Sequence, residues 1–298
     1  MVELTRKQFD ILSILATAKT KLSQRQLEEK CGHSLGTVNK AIKDFTDWGY
    51  VQDGEITNEG YQALEPYRAK RAIFIAAGFG SRLVPVTLNT PKPLVRVNGQ
   101  RMIDSLIDAC LTAGIDEIYI VRGYLAEQFD QLLYKYPMIK FLENTSYNES
   151  NNISSAMCAR YLLQNAYVLE SDLIINNPDI ITKYHYTSDV LGIYKDRSDD
   201  WVLTVDKDGY VTEEKVGGLN CYQMIGIYYW NACDGARLAG NLQDAYMAPG
   251  GKERYWETVP NQAYKGKYKV YVRKCTEKDI IEIDTFRELK AIDKTYDI

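Results

Sequence analysis

Residues 76–87 read Ala-Ala-Gly-Phe-Gly-Ser-Arg-Leu-Val-Pro-Val-Thr, and Pro91-Lys92-Pro93-Leu94 follows soon after. These two stretches decide how the chain is read. The apolar run 71–77 leads into them and has the length and texture of a buried strand that ends in a loop. Glycines at that point let backbone N–H groups come close to an anion. Arg82 adds a planar cationic fork and Lys92 adds a point charge. Amides and cations gathered after one strand suit a polyphosphate. The stretch is neither of two common phosphate loops. Arg82 and Leu83 stand where a dinucleotide fingerprint needs its third glycine, and no Gly-Lys-Ser/Thr follows as a Walker loop requires.

Outward from this loop, strand and helix patterns alternate. The spacing predicts a helix over 103–113, a strand over 117–121, a helix over 126–135 and a strand over 139–142. A helix over 153–164 and a strand over 167–169 come next. Such alternation argues for βαβ units and a largely parallel sheet. The later segments are richer in strands, at 189–194, 202–205, 223–230 and 269–273, with a tight turn at Asp206-Lys207-Asp208-Gly209. Residues 280–284 and a last helix close the chain. The expected fold is α/β, a Rossmann-like mixed sheet over residues 69–298.

Residues 1–68 have a different texture. Thr5 can cap a first helix, Ser23 and Gln26 have capping-box spacing for a second, and Ser34 can cap a third. Residues 48–57 read as a small hairpin around Asp53-Gly54, and a fourth helix runs over 60–67. Three helices, a wing and a closing helix resemble a winged helix-turn-helix domain. Its recognition helix, residues 34–47, offers Thr37, Asn39, Lys40 and Lys43 to DNA. Nine basic and ten acidic residues in this unit weigh against strong phosphate neutralisation. The same scaffold serves dimerisation or regulation, so a homodimer and a DNA contact both stand as expectations.

Composition bounds the rest. With 298 residues, 45% apolar and 26% charged, the chain reads as an ordinary globular protein of about two domains. Thirty-six basic and 40 acidic side chains give a net charge of −4, so the chain as a whole is not built for nucleic acid or anionic lipid. Six scattered cysteines form no C-x-x-C pair, which fits reduced thiols in a cytoplasmic protein. No signal peptide and no apolar run long enough to span a membrane can be read. His33 and His185 belong to no catalytic arrangement. Tyrosine is in excess, 23 against seven phenylalanines; such rings suit partly wet pockets.

The 76–94 region resembles the signature of nucleotidyltransferases that activate sugar phosphates and related phosphate monoesters. More narrowly, it is similar to that of the bacterial CTP:phosphocholine cytidylyltransferases. The likeness covers residues 71–298. Gly123-Tyr124, Gln128-Phe129, Tyr147, Asn151-Asn152, Tyr255-Trp256-Glu257, Glu282 and Asp284 support the narrower match. The resemblance implies nucleotide contacts from Ala77, Gly78, Gly80, Ser81, Arg82, Tyr124 and Asn152. It implies catalytic roles for Arg82, Lys92, Asp172 and Asp284, with Mg2+ held by the two aspartates. Mg2+ takes hard oxygen ligands and only one or two protein carboxylates. Glu170 shares a strand face with Asp172, and Glu282 with Asp284; both glutamates are placed behind the ligands. Asn152 can also serve simply to open a helix.

In the same resemblance the acceptor lies near Trp201, Tyr228, Tyr255, Trp256 and Glu257. A quaternary ammonium donates no hydrogen bond and is bound by aromatic faces and a nearby carboxylate. Each of these rings could equally be core. The expected reaction is in-line attack by phosphocholine on the α-phosphorus of CTP, with pyrophosphate leaving. Phosphoethanolamine, aminoethylphosphonate or a sugar 1-phosphate are the rival acceptors. A rival of another class is a DNA-binding regulator with a nucleotide-sensing domain.

Overall fold

A computed structural model describes residues 2–297. The chain forms two compact units. One runs up to Arg68 and includes Lys183–Tyr186; the other holds Ala69–Thr182 and continues from Thr187. The short segment 183–186 was not expected in the first unit.

The first unit contains α1 (Arg6–Thr17), α2 (Gln24–Cys31), α3 (Leu35–Asp47), a wing of β1 (Val51–Gln52) and β2 (Glu55–Ile56), and α4 (Asn58–Leu64). Capping boxes at Thr5/Gln8 and Ser23/Gln26 start α1 and α2. Asp53 and Gly54 both take positive φ, +53° and +78°, as a two-residue hairpin turn requires. Phe9, Ile11, Leu12, Val38, Phe45 and Leu64 form the core, and Tyr184 joins it. The fourth helix is shorter than expected, with a 3-10 turn over Glu65–Tyr67. Tyr67 and Tyr186 stack at 5.8 Å, and Arg6 lies over Tyr186.

The second unit is built on a seven-stranded sheet. Its strands are β3 (Arg71–Ile75), β6 (Glu117–Arg122), β7 (Lys140–Glu143), β8 (Ala166–Glu170), β10 (Asp189–Val205), β11 (Val211–Trp230) and β12 (Tyr271–Cys275), in the order β12-β10-β11-β8-β3-β6-β7. β8, β3, β6 and β7 run parallel, and β12 runs parallel to β10. β11 is antiparallel to both its neighbours. Two minor ladders complete the strands: β4 (Arg96–Val97) with β5 (Gln100–Arg101), and β9 (Leu173–Ile175) with β13 (Ile280–Glu282).

Helix α5 (Met102–Thr112) packs Ile103, Leu106 and Ile107 with Ala72 and Phe74 on one face. On the other face α6 (Ile153–Ala159) and α7 (Ala232–Met247) cover Ile73 and Ile75. Helix α8 (Phe286–Ile292) closes a small cluster with Leu83, Val95 and Ile283.

Three expectations are corrected. Residues Ala126–Tyr134 form a 3-10 helix, because the chain enters through Leu125 at φ +48° and its buried pair, Phe129 and Leu132, is spaced three apart. Residues 153–164 split into α6 and a 3-10 turn over Arg160–Leu162. The strands expected at 189–194, 202–205 and 223–230 belong to one long bulged hairpin. Among the described residues, no helix is long and apolar enough to cross a membrane.

Candidate active site

The site lies where β3 and β8 end side by side. Ile75 and Glu170 are register partners, so the glycine loop and Asp172 leave the sheet together. Carboxyl ends of parallel strands are where open α/β sheets bind ligands. Ser171 ties the two exits by donating its hydroxyl to Ile75 O at 2.8 Å.

An open cleft of about 310 Å3 lies there, lined by Gly78, Gly80, Ser81, Arg82, Lys92, Tyr147, Asn152, Ser154, Glu170 and Asp172 among others. Gly80 stands at φ +61°. A Cβ there would lie 2.8 Å from Lys92 Cβ and 3.2 Å from Thr87 Cγ2, so glycine is what lets Lys92 close on the loop. A Cβ on Gly78 would meet nothing within 4 Å, so this side of the loop is open to the cleft. Thr87 holds the loop by donating its hydroxyl to Gly80 O at 2.8 Å.

Lys92 is 8% exposed. Its Nζ donates to Asp172 Oδ2 at 2.7 Å and to Asp284 Oδ1 at 3.2 Å. Arg82 grips Asp284 with both Nη atoms, at 3.0 and 2.7 Å. All four side chains expected to be catalytic are therefore joined. The β9–β13 ladder makes this possible: Glu282 pairs with Leu173, and Ile283 N–H donates to Asp172 O. Asp284 then precedes α8, whose Glu288 accepts the Asp284 N–H at 2.8 Å.

Carboxylate oxygens of Asp172, Glu282 and Asp284 lie within 4.8 Å of one another. Burial, and then Asp172, Asp284 and Asp200, push Glu282 up to about 8. Asp172 Oδ1 is buried and accepts no hydrogen bond from any described residue. Three crowded hard oxygens with one unpartnered lone pair fit a divalent cation. Glu282 was placed behind the ligands in the sequence; here its carboxylate belongs to the same cluster.

Tyr124 donates its hydroxyl to Thr87 O at 3.0 Å and its N–H to Ala77 O at 3.1 Å, bracing the glycine loop. Asn144, which sequence reasoning missed, donates to the hydroxyls of Ser154 and Ser155 on the cleft floor. A lone Asn in a loop gives no signal of this kind.

The expected acceptor residues separate. Tyr228 and Trp256 are 0% and 1% exposed, with rings T-shaped at 5.1 Å in the core beneath α7, so neither presents an open face. Trp201 and Tyr255 pair at 6.1 Å, and Tyr255 is exposed. Glu257 is buried and accepts from the Asn152 amide at 3.1 and 3.2 Å, and Glu170 Oε1 accepts from the same amide at 3.4 Å. Trp256 donates its indole N–H to Glu170 at 3.2 Å. Burial and the facing Glu257 hold the Glu170 carboxyl well above the usual range.

In the first unit, Asn39, Lys40 and Lys43 are exposed along α3, and Thr37 is half-buried. Asp44 is engaged by Gln8 at 3.2 Å.

Residues 71–208 match the nucleotidyl transferase family and residues 3–55 the MarR family. The chain is 37% identical over 228 residues to a 2-aminoethylphosphonate cytidylyltransferase of Lancefieldella rimae, covering 76% of this chain and 92% of that one. It is 31% identical to a choline-phosphate cytidylyltransferase of Streptococcus pneumoniae, covering 75% and 97%. A solved structure of CTP:phosphocholine cytidylyltransferase from the same species superposes with a TM-score of 0.70 at 29% identity, covering 76% of this chain and 98% of that one. The likeness thus runs along nearly the whole length of these relatives. This chain belongs to the cytidylyltransferases of the nucleotidyl transferase family and carries a MarR-type winged helix at its N-terminal end.

Proposed function

We propose that the chain transfers the cytidylyl group of CTP to phosphocholine, giving CDP-choline and pyrophosphate. The observation that carries this reading is the Trp201–Tyr255 ring pair, which stands beside Asp200, a residue close enough to Glu282 to raise its pKa. Aromatic faces next to carboxylates are the chemistry of a quaternary ammonium site. With Tyr228 and Trp256 in the core, two rings and the acids form the site instead of four rings.

In the proposed reaction an acceptor phosphate oxygen attacks the α-phosphorus of CTP. The bond from that phosphorus to the bridging oxygen breaks, and pyrophosphate leaves with the electron pair. The attacking oxygen is anionic near neutral pH, so positioning and charge neutralisation suffice. Amides of residues 78–81 hold the leaving phosphates. Arg82, whose side chain is 65% exposed, has the freedom to turn from Asp284 toward them. Lys92, fixed by Asp172 and Asp284, faces the reacting phosphate. Asp172 and Asp284, with Glu282 beside them, would hold Mg2+, which when bound neutralises charge on the α-phosphate.

A second reading, 2-aminoethylphosphonate as acceptor, is favoured by the 37% identical relative and by the carboxylate of Asp200, which can accept hydrogen bonds from a primary ammonium. A pyrophosphate-release assay with Mg2+, crossing CTP, UTP, dTTP and ATP with phosphocholine, phosphoethanolamine, aminoethylphosphonate and glucose 1-phosphate, separates the two. Selective release with CTP and phosphocholine supports the first. Release with aminoethylphosphonate alone replaces it with the second. Silence across the panel refutes both and favours the regulator. For the first unit, exposed Asn39, Lys40 and Lys43 support a DNA contact through residues 34–47; its binding would fall steeply with salt.

A further inference from the structure

Glu257 was expected to touch the acceptor. It is 5% exposed, and its carboxylate is taken up by the amide of Asn152, a residue of the nucleotide cleft. Asn152 uses its other atom as well: its Oδ1 accepts the Trp256 N–H at 2.9 Å. The two residues before it grip the same segment further back. Asn151 donates its N–H to Lys252 O at 2.7 Å and its amide to Glu253 O at 3.2 Å, and Ser150 donates its hydroxyl to Lys252 O at 2.8 Å. Residues 150–152 and 252–257 are thus sewn together by side-chain and backbone bonds. Tyr255 lies inside the sewn segment, exposed, with its ring against Trp201.

We infer that Glu257 is a positioning residue: through Asn152 it holds Tyr255 against Trp201 and ties the acceptor side of the site to the nucleotide cleft. This rests on the acceptor site proposed above. The reasoning is geometric. Tyr255 is followed by two buried residues, Trp256 and Glu257, and both are fastened to the one Asn152 side chain. A charge-assisted hydrogen bond is among the stronger single ties in a protein. Loosening it frees the strip that carries Tyr255, while Gly78, Gly80, Lys92 and the aspartates stay where the sheet puts them. A nucleotide seated on Asn152 stiffens the same strip, so CTP prepares the acceptor side.

Two readouts test this on the full chain. The first is steady-state kinetics. Glu257→Ala should raise the KM of the acceptor about tenfold, the equivalent of one such hydrogen bond, and the KM of CTP by clearly less, since CTP is held mainly by the glycine loop and Lys92. Glu257→Gln keeps an oxygen for Asn152 and should return the acceptor KM close to native. A carboxylate that touched the ammonium directly would lose as much in the Gln variant as in the Ala variant, so absence of rescue overturns the inference. An equal rise in both KM values also overturns it.

The second readout needs no turnover. The Lys252–Glu253 and Arg254–Tyr255 bonds are exposed trypsin sites within the strip. Glu257→Ala should speed their cleavage, Mg2+ with CTP should slow it in the native chain, and Ser150→Ala, a milder loosening of the same tie, should speed it less. Unchanged cleavage in both variants, or no protection by CTP, overturns the inference. If the native chain turns over no acceptor in the panel, the proposed function fails, and proteolysis alone decides the positioning role.

Discussion

Gly80→Ala tests the reading of the glycine loop with a single methyl group. At φ +61° an L side chain is strained by about 1–2 kcal/mol relative to the right-handed region. The added Cβ would stand 2.8 Å from Lys92 Cβ. That atom is next to the backbone of a buried residue between two prolines, so it cannot swing aside as a side-chain tip would. Overpacking of this kind costs about 1–3 kcal/mol. Together these terms predict a loss of about 2–5 kcal/mol, or a fall in Tm of roughly 5–15 °C for a unit of this size. Activity should suffer more than stability. Lys92 is located by bonds of 2.7 and 3.2 Å to the two aspartates, and a displacement of a catalytic group by about 1 Å can cost about 100-fold. Pyrophosphate release at a temperature where the variant is folded, measured beside its calorimetric melting, reads both effects. A variant with native turnover and native Tm would show that the close approach of Gly80 and Lys92 is not what shapes the site.

Two further outcomes follow from the same geometry. Lys92→Met should lower kcat about 100- to 1000-fold, and Mg2+ should raise the Tm of this variant more than that of the native chain, because the carboxylates it shielded are left to the ion; equal shifts in the two proteins would refute the shared-cluster geometry. Glu214 is buried and held up at about 7, mainly by desolvation. A carboxyl raised above its ordinary 4.5 stabilises the fold below that pH and loses its contribution as pH climbs through 7, so Glu214→Gln should gain up to about 3 kcal/mol at pH 8 and less than about 1 kcal/mol at pH 5. Melting curves at the two pH values check this, and a gain at pH 5 as large as that at pH 8 would refute it.

The glycine loop and Lys92 were legible because polyphosphate chemistry restricts which residue types can serve, and the two aspartates were singled out through the family resemblance. The faces of the aromatics were not. Residues 227–230 of β11 are buried on both sides of the sheet, so alternation cannot tell Tyr228 from a pocket wall. Helix α7 escaped the sequence reading because Gly235 and Gly240 weaken its pattern. The structure explains Gly235: a Cβ there would lie 2.3 Å from Leu163 O, so only glycine lets α7 approach so closely. The buried tie between Asn152 and Glu257 joins side chains 105 positions apart, beyond what any local pattern carries.

The β9–β13 ladder has a consequence for how the enzyme comes into being. Lys92 and Asp284 are 192 positions apart in the chain, and the second of them reaches the first only when β13 has paired with β9. In chain order, β3, β6, β7 and β8, with the glycine loop after β3, are all made before β13. A chain at that stage would have the glycine loop and Lys92 but lack Glu282 and Asp284, so on the proposed function it could hold a nucleotide without turning it over. The cluster of Lys92, Asp172 and Asp284 therefore closes as one event, when residues 280–284 fold back on β9.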